Sequence, residues 1–471
     1  KHDPFLLPDM KKAVARLKRA RERDEKIVIY GDYDIDGLSA TALLLDAFGK
    51  FGFEDFDAFI PNRFVEGYGM TMGAVDKVRD MGADLIVTVD TGSLCHAEIA
   101  YAASLGIDTV VTDHHNVAET PPPSVAAVNP KFSGHSYPFR DLCGAGVAFK
   151  LVQALQTELD GLPDGYEKWL LDLVALGTVC DIVTLADENR ANVYWGLEVL
   201  KKQQRPGLKA LMAVAGIEPE QVNARHLGFG LGPRMNAAGR LETAQHALDM
   251  LTARDGLAAL EASEKLEELN TKRRSIQDAI FEEACVQAEE LADDRVLVVS
   301  SGGWNHGVIG IVASKLVEKY KKPVFIIGER GEEATGSARS FGDFSAADAV
   351  RAADDIIIKG GGHGAAAGVT LATEKIGDFR RRVNEFYDSL QLTNQERYLL
   401  PRADVEIDDF SEIDEELVAN LAKMEPFGNG NPEPVLKIAR ASVLSMRRMG
   451  ADGQHVKLAL RDKNGKVLQM L

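Results

Sequence analysis

Between Ile27 and Asn129 short, continuous runs of β-branched and apolar residues alternate with stretches of helical periodicity, and this alternation restricts the fold more than any other feature. Ile27-Val28-Ile29-Tyr30, Leu85-Ile86-Val87-Thr88-Val89 and Thr109-Val110-Val111-Thr112 lack the apolar–polar alternation of a half-exposed strand. Such runs predict strands buried on both faces. With helical stretches from Leu38 to Phe48 and from Ala97 to Leu105 between them, they predict a parallel sheet with helices on both sides. Ligands of such a sheet bind beyond the carboxyl ends of its strands, so those ends are where chemistry is expected.

The first run ends in Gly31-Asp32-Tyr33-Asp34-Ile35-Asp36-Gly37, three carboxylates at alternate positions. Burying like charges so close together is costly unless a cation neutralises them, which predicts a metal site. The alternative is an Asp-rich turn in which Asp36 caps the next helix. The second run ends in Asp90-Thr91-Gly92 and the third in Asp113-His114-His115, while Asp181 closes the apolar stretch Leu170 to Cys180. One Asp after a strand is an ordinary helix cap, and a lone His is more often a core residue than a ligand. Three consecutive strand ends carrying only Asp and His are hard to attribute to chance. Ligands that are mostly carboxylate with one imidazole and no thiolate favour Mn2+ or Mg2+ over structural zinc. Five or six of them suit two ions about 3.5–4 Å apart, an arrangement fitted to phosphodiester hydrolysis by an activated water.

The length of 471 residues implies several domains. Helical patterns run from Gly146 to about Ala215, and a Gly/Ala-rich loop is expected through Gly228 to Arg240. An uninterrupted helix from about Leu257 to Ala292 would span roughly 54 Å, long enough to join two domains. A second α/β unit starts at Val296 and runs to about Tyr387; from Arg402 the period shortens to two, predicting a small β-barrel. The expected division is 1–240, 241–292, 293–392 and 400–471. The net charge of −18 argues against a polyanionic partner in general, but residues 417–471 carry nine Lys/Arg against four Asp/Glu, Asp452 among them. That local +5 fits a groove for a nucleic-acid backbone or, equally, a solvated surface. The four cysteines form no Cys-x-x-Cys pair and are expected to be reduced thiols. No apolar run approaches the ~18–20 residues of a membrane span, and Lys1-His2-Asp3-Pro4 resembles neither a signal peptide nor an initiator start. The expectation is a cytoplasmic, monomeric protein cut from a longer chain.

Two further segments suit phosphate. Gly360-Gly361-Gly362-His363-Gly364 permits close backbone approach to an anion, although a tight inter-strand turn would need the same residues. Ser337 and Arg339 place a hydroxyl and a guanidinium on one side of an extended segment. Arg63 follows the strand end Phe59-Ile60-Pro61-Asn62, and Arg234 and Arg240 flank Asn236; both could equally pair with local acids such as Glu242.

Tyr30 to Gly37, Val89 to Gly92, Asp113-His114-His115 and Ala175 to Asp181 resemble the four ordered motifs of the DHH phosphoesterase superfamily, and Ser301 to Gly310, Gly336-Ser337-Ala338-Arg339-Ser340 and Gly360 to Gly364 resemble its associated second domain. Within it, His2 to Pro8, Asn236-Ala237-Ala238-Gly239-Arg240 and Pro426 to Pro434 resemble the single-strand-specific exonuclease branch. The resemblance implies a parallel-sheet DHH domain, a second α/β domain joined to it by a long helix, and a C-terminal OB-like barrel. It implies that Asp34, Asp36, Asp90, His114 and Asp181 bind two metal ions with Asp32 close by, that Asp90 bridges them, and that His115 faces the scissile phosphate as donor or acid. Ser337 and Arg339, with Arg63 as helper, would take a terminal 5′-phosphate, Ser340, Gly362 and His363 would line the same site, and Arg234, Asn236 and Arg240 would line the mouth for the strand. Thr91 and Cys180 depart from the residues common in relatives without replacing a ligand. The implied activity is metal-dependent 5′→3′ degradation of single-stranded DNA to mononucleotides in repair and recombination, with a single-strand-binding protein and a helicase as expected partners. The competing readings are a phosphodiesterase for short oligonucleotides or cyclic dinucleotides and a non-catalytic replication scaffold. Since every implied ligand precedes Arg402, the C-terminal unit is expected to be removable without disturbing the metals.

Overall fold

The computed structural model describes residues 2–67, 69–438, 440–450, 453 and 455–470; Asp452 lies outside the described residues. The first sheet is parallel throughout and contains β1 (Ile27–Gly31), β2 (Phe56–Phe59), β3 (Leu85–Val89), β4 (Asp108–Thr112) and β5 (Ala126–Val128), in the order β2-β1-β3-β4-β5. All five residues of both β1 and β3 are buried, as continuous apolar runs require. The strand order reverses between β1 and β3, which opens a crevice at their carboxyl ends. The helix Ile35–Phe51 follows β1, and its cap is Asp34, whose side chain accepts from the amides of Asp36 and Gly37. Asp36, the cap in the alternative reading of this segment, lies inside the first turn.

The segment expected to be a loop is helical. A π-helical turn at His226–Leu231 runs into the α-helix Gly232–Leu241, with Pro in its first turn. Here glycine serves packing: a Cβ on Gly232 would lie 3.1 Å from Cys180 Sγ. The long helix Gly256–Glu290 is capped by Asp255 and spans about 52 Å. Its Leu266 and Leu269 belong to the core of the first domain, whereas Ile280, Ala284 and Ala288 pack with Val299, Trp304 and Val312 of the second. The connector is thus a wall shared by both domains.

The second sheet is mixed, with β6 (Leu297–Gly302), β7 (Val324–Arg330), β8 (Glu333–Arg339), β9 (Ile357–Gly362) and β10 (Ala366–Ala372) in the order β6-β7-β8-β10-β9. Only β6 and β7 run parallel. The glycine run closes the β9–β10 hairpin instead of preceding a helix. Gly362 has φ 149°, and a Cβ there would lie 2.4 Å from the carbonyl oxygen of Ala366, so the turn excludes a side chain. In the C-terminal unit β11 (Val405–Ile407) pairs in parallel with β12 (Leu436–Ile438), while β13 (Ser442–Met449), β14 (His455–Arg461) and β15 (Val467–Met470) form an antiparallel sheet.

Candidate metal centre and the arginine cluster beside it

The reversal between β1 and β3 brings the acidic strand ends together. Asp32 and Asp34 come from the end of β1, Asp90 from the end of β3, His114 and His115 from the end of β4, and Asp181 from the C-terminus of the helix Leu171–Cys180. His114 Nε2 lies 3.0 Å from Asp90 Oδ1, 3.5 Å from Asp181 Oδ2 and 3.7 Å from Asp36 Oδ2. Three overlapping sets result, Asp90–His114–His115, Asp36–His114–Asp181 and Asp32–Asp34–Asp90, with donor atoms in each within 4.8 Å of one another. Asp90 belongs to two of the sets and His114 to two. Asp90 also has φ 61°, a left-handed conformation that a non-glycine residue adopts at a cost and that is found disproportionately at functional sites.

Compensation within the protein is incomplete. Asp36 accepts from the amides of Gly144 and Ala145 at 2.5 and 2.8 Å, the start of the helix Gly144–Leu155. Yet Asp32 Oδ1, Asp90 Oδ1 and His114 Nε2 are buried without a hydrogen-bond partner among the described residues. Burial, and then the charge of Asp34, push Asp32 up to about 7 and Asp36 up to about 6. Burial and the charges of Asp36 and Asp34 push Asp181 up to about 8 and Asp90 well above the carboxylate range. Burial lowers His114 to about 3, so it is a neutral imidazole able to offer a lone pair. Buried carboxylates that repel one another, beside orphaned oxygens and a neutral imidazole nitrogen, fit a pair of hard divalent cations.

Asp113 has a different role. Its carboxylate accepts from the amides of Ser93, His114 and His115 and lies 2.9 Å from His115 Nδ1. Burial alone would raise Asp113, but the contact with His115 outweighs it and holds the acid far below its usual range. For His115 burial acts downward, and the Asp113 bond with the charges of Asp113, Asp181 and Asp32 raises it to about 9. At neutral pH His115 is therefore a cation oriented by Asp113. Two glycines make room for the cluster: a Cβ on Gly144 would lie 2.5 Å from Asp90 Cβ, and one on Gly177 would lie 2.4 Å from Asp36 Oδ1. Gly144, Ala145, Gly177 and the orienting role of Asp113 were missed from sequence; the small-residue start Cys143-Gly144-Ala145-Gly146 was the available signal.

A cationic cluster adjoins the carboxylates. The Arg63 guanidinium stacks on the Tyr33 ring at 4.5 Å, its Nε is buried without a partner, and its charge acts on Asp32. Arg240 is lowered to about 10 by burial and by the like charges of Arg63, Arg273 and Arg339. Arg339 reaches Ser337 Oγ at 3.2 Å and the Ala338 carbonyl at 2.8 Å, and Arg240 donates to the Gly307 carbonyl at 2.8 Å. Among the described residues none of Arg63, Arg240 or Arg339 forms an ion pair. Ala366 pairs with Arg339 and Gly362 with Ala367, so the β9–β10 turn with His363 is at the same end of the sheet as Arg339. Arg273, absent from the sequence expectations, joins this cluster from the long helix.

Three expected substrate residues are placed differently. Arg234 Nε lies 2.5 Å from Glu267 Oε2, so its charge is neutralised locally, while Glu242 pairs with His246 and Lys265. Asn236 is half-buried within the helix Gly232–Leu241 rather than on a loop. The Ser340 hydroxyl donates to the Phe344 carbonyl and so belongs to the turn after β8.

Family models match in the same order as these domains: the DHH family N-terminal domain over residues 26–178, the DHHA1 domain over 293–389 and the RecJ OB domain over 403–471. Fold and site together are those of a DHH-type protein. The chain belongs to the family of the single-stranded-DNA-specific exonuclease RecJ: it is 35% identical over 490 residues to the protein of that name from Dickeya dadantii, covering 98% of this chain and 83% of that one. Identity to the Bacillus subtilis RecJ is 39% over 470 residues, 99% of this chain but 58% of the relative. The crystal structure of Thermus thermophilus RecJ in complex with Mn2+ superposes with a TM-score of 0.84 at 31% identity, over 98% of this chain and 66% of that one. A second structure, of exonuclease RecJ bound to manganese, gives a TM-score of 0.72 at 33% identity, over 83% of this chain and 97% of that one.

Proposed function

We propose that this chain is a metal-dependent exonuclease that shortens single-stranded DNA from a 5′-phosphorylated end and releases mononucleotides. The observation that carries this reading is the adjacency of two clusters of opposite charge: carboxylates with orphaned oxygens at the β1/β3 crevice and, across the Tyr33–Arg63 stack, guanidinium groups that form no ion pair among the described residues. The first suits cations and the second phosphate. The RecJ relatives are named single-stranded-DNA-specific exonucleases, and their solved structures contain Mn2+ or Mg2+.

Asp34, Asp36, Asp90, His114 and Asp181, with Asp32 beside them, would hold two ions, and Asp90, shared between two donor sets, would bridge them. Two such ions supply Lewis acidity to the phosphodiester and an activated water. The chain's own contribution is to keep His114 neutral and to present His115, oriented by Asp113, as a hydrogen-bond donor to the scissile phosphate. Arg339 and Ser337, with Arg63 and Arg240, would bind the 5′-terminal phosphate and set where cleavage falls. A site serving one strand end between two domains also accounts for selection against duplex. No helix among the described residues is long and apolar enough to cross a membrane, and the proposed setting is the cytoplasm, as a monomer working beside a helicase and a single-strand-binding protein.

The test is nucleotide release from a 5′-phosphorylated single strand with Mn2+, run beside duplex, a 5′-hydroxyl strand and a cyclic dinucleotide. Mononucleotides from the single strand, abolished by chelator, are expected. Preferential cleavage of the cyclic dinucleotide would replace this reading with that of a small phosphodiesterase, and no cleavage of any substrate would favour a scaffold.

A further inference from the structure

The C-terminal unit reaches the metal centre through one turn. Immediately after Asp181, Ile182 has φ 59° and an exposed side chain. A helix end in this left-handed conformation usually carries glycine, because a β-branched residue clashes with its own backbone there. Such a conformation persists only where the surroundings impose it. At this turn they do so from another domain. Asn429 Nδ2 donates to the Ile182 carbonyl at 2.7 Å, and the Leu185 amide donates to the Asn429 carbonyl at 2.7 Å, so one residue grips both ends of the segment.

The gripping loop is itself braced. Gly428 and Asn431 exchange both backbone hydrogen bonds, and Asn431 Nδ2 reaches the carbonyls of Met424 and Pro426, each at 2.9 Å. The fit is close, since a Cβ on Gly430 would lie 2.5 Å from Thr184 Cγ2. On the other side Arg190 Nη2 donates to the carbonyls of Met424 and Glu425 at 3.0 and 3.2 Å, fixing the end of the helix Glu415–Ala422. Deletion from Arg402 onward, which leaves every expected ligand residue in the chain, would also take away the partner of the turn that carries Asp181.

We propose that Asn429 is a positioning residue for the metal centre: by clamping the left-handed Ile182 it holds the Asp181 carboxylate in place, so that metal affinity depends on the C-terminal unit. This rests on Asp181 being a metal ligand. The test is calorimetric titration of Mn2+ into the full, chelator-stripped chain without DNA. Asn429→Ala is expected to weaken Mn2+ binding about three- to tenfold, the scale of one lost hydrogen bond. Glycine takes the left-handed conformation unaided, so in the Ile182→Gly background the same Asn429→Ala change is expected to cost less than about twofold. A purely structural contact would lower the unfolding temperature without changing the Mn2+ affinity of the folded protein, and would not be relieved by glycine. Mn2+ affinity within twofold of the parent for Asn429→Ala overturns the proposal, as does a loss undiminished in the Ile182→Gly background. Asp181→Asn separates the two levels: if it leaves Mn2+ binding intact, the ligand assignment falls and the clamp with it, whereas if it weakens binding and Asn429→Ala does not, only the clamp falls.

Discussion

Two of the places where the first domain buries charge are treated in opposite ways. Behind the sheet Lys150 lies 2.5 Å from Glu188 Oε1, the His2 amide donates to the same oxygen at 2.8 Å, and the Tyr137 hydroxyl donates to Glu188 Oε2. Lys150 also donates to the His2 carbonyl at 3.0 Å, so the pair fastens residues at the start of the chain to two helices. Burial would raise Glu188, but Lys150 and Tyr137 outweigh it and lower it. At the β1/β3 crevice the same burial raises Asp32, Asp90 and Asp181, because the nearest charges are other carboxylates. A satisfied buried pair belongs to the fold. An unsatisfied cluster is kept for something that binds.

The strongest way to break this contrast is to remove one member of the cluster. Asp90→Ala takes a shared donor from both proposed ion positions, so turnover at saturating Mn2+ is expected to fall by several orders of magnitude. The metal-stripped protein should not lose stability, since a repelling carboxylate has gone, and its thermal midpoint is expected to stay level or rise. Parental turnover would remove the two-ion assignment, and a large drop in the midpoint would make Asp90 a structural residue.

The opposite substitution belongs to the other region. Glu188→Gln leaves the Lys150 ammonium buried without its counter-charge, and breaking such a pair costs on the order of 3–5 kcal/mol. Denaturant unfolding should show that loss, while Mn2+ affinity and turnover below the unfolding transition stay at parental values. A stability change under ~1 kcal/mol would mean that water or a rearranged neighbour compensates Lys150.

The two regions also give opposite pH slopes. Glu188 titrates lower in the folded protein than in the unfolded chain, so its contribution is present above the unfolded value of about 4.3 and is lost as pH falls through the folded one. Asp32 and Asp181 titrate near 7 and 8 in the folded, metal-free protein. Between about pH 4 and those values the unfolded chain binds fewer protons than the folded one, so this contribution declines as pH rises. Metal-stripped protein is therefore expected to lose stability from about pH 5 to 8, and Mn2+ at 100 times its dissociation constant should add back about 2.7 kcal/mol. Melting curves with and without chelator across that range check both signs. A rise in metal-free stability over the interval would show that the cluster is already neutralised.

How much of this was legible in the sequence differs between the same two regions. β1, β3 and β4 announce themselves because strands buried on both faces are written as unbroken apolar runs, and their acidic ends stand out against them. β2, with Phe56, Ala58 and Phe59 only partly buried, carries a weaker pattern and was read only at its end, Phe59-Ile60-Pro61-Asn62, and the three-residue β5 was not read as a strand. The glycines at 228–239 suggested a loop because local propensity cannot see that a small residue is needed where Gly232 passes Cys180. Lys150 and Glu188 were invisible as a pair: they are 38 positions apart, on helices whose relative placement only the tertiary fold decides. Arg234 and Arg339 were both expected to bind substrate, at the strand entry and at the terminal phosphate, and what separates them is the neighbour Glu267, supplied by another helix.

That last difference yields the smallest prediction and extends the comparison to positive charge. Arg234 has a carboxylate within 2.5 Å, whereas Arg339 has only Ser337 and a backbone carbonyl and is lowered by burial. If uncompensated charge marks what binds, Arg339→Ala should lose a charge-assisted contact to the terminal phosphate worth about 1.5–3 kcal/mol in kcat/KM. Arg234→Ala should show its effect in stability instead, through Glu267 left with Arg274 alone. The discriminating measurement is the ratio of kcat/KM on 5′-phosphorylated and 5′-hydroxyl strands. Arg339→Ala should bring that ratio towards one, because the contact it removes exists only with the phosphate, while Arg234→Ala should leave it unchanged. Equal losses on both strands for Arg339→Ala would place this guanidinium in the fold, beside Arg234, and the absence of a counter-ion would no longer separate binding residues from structural ones in this cluster.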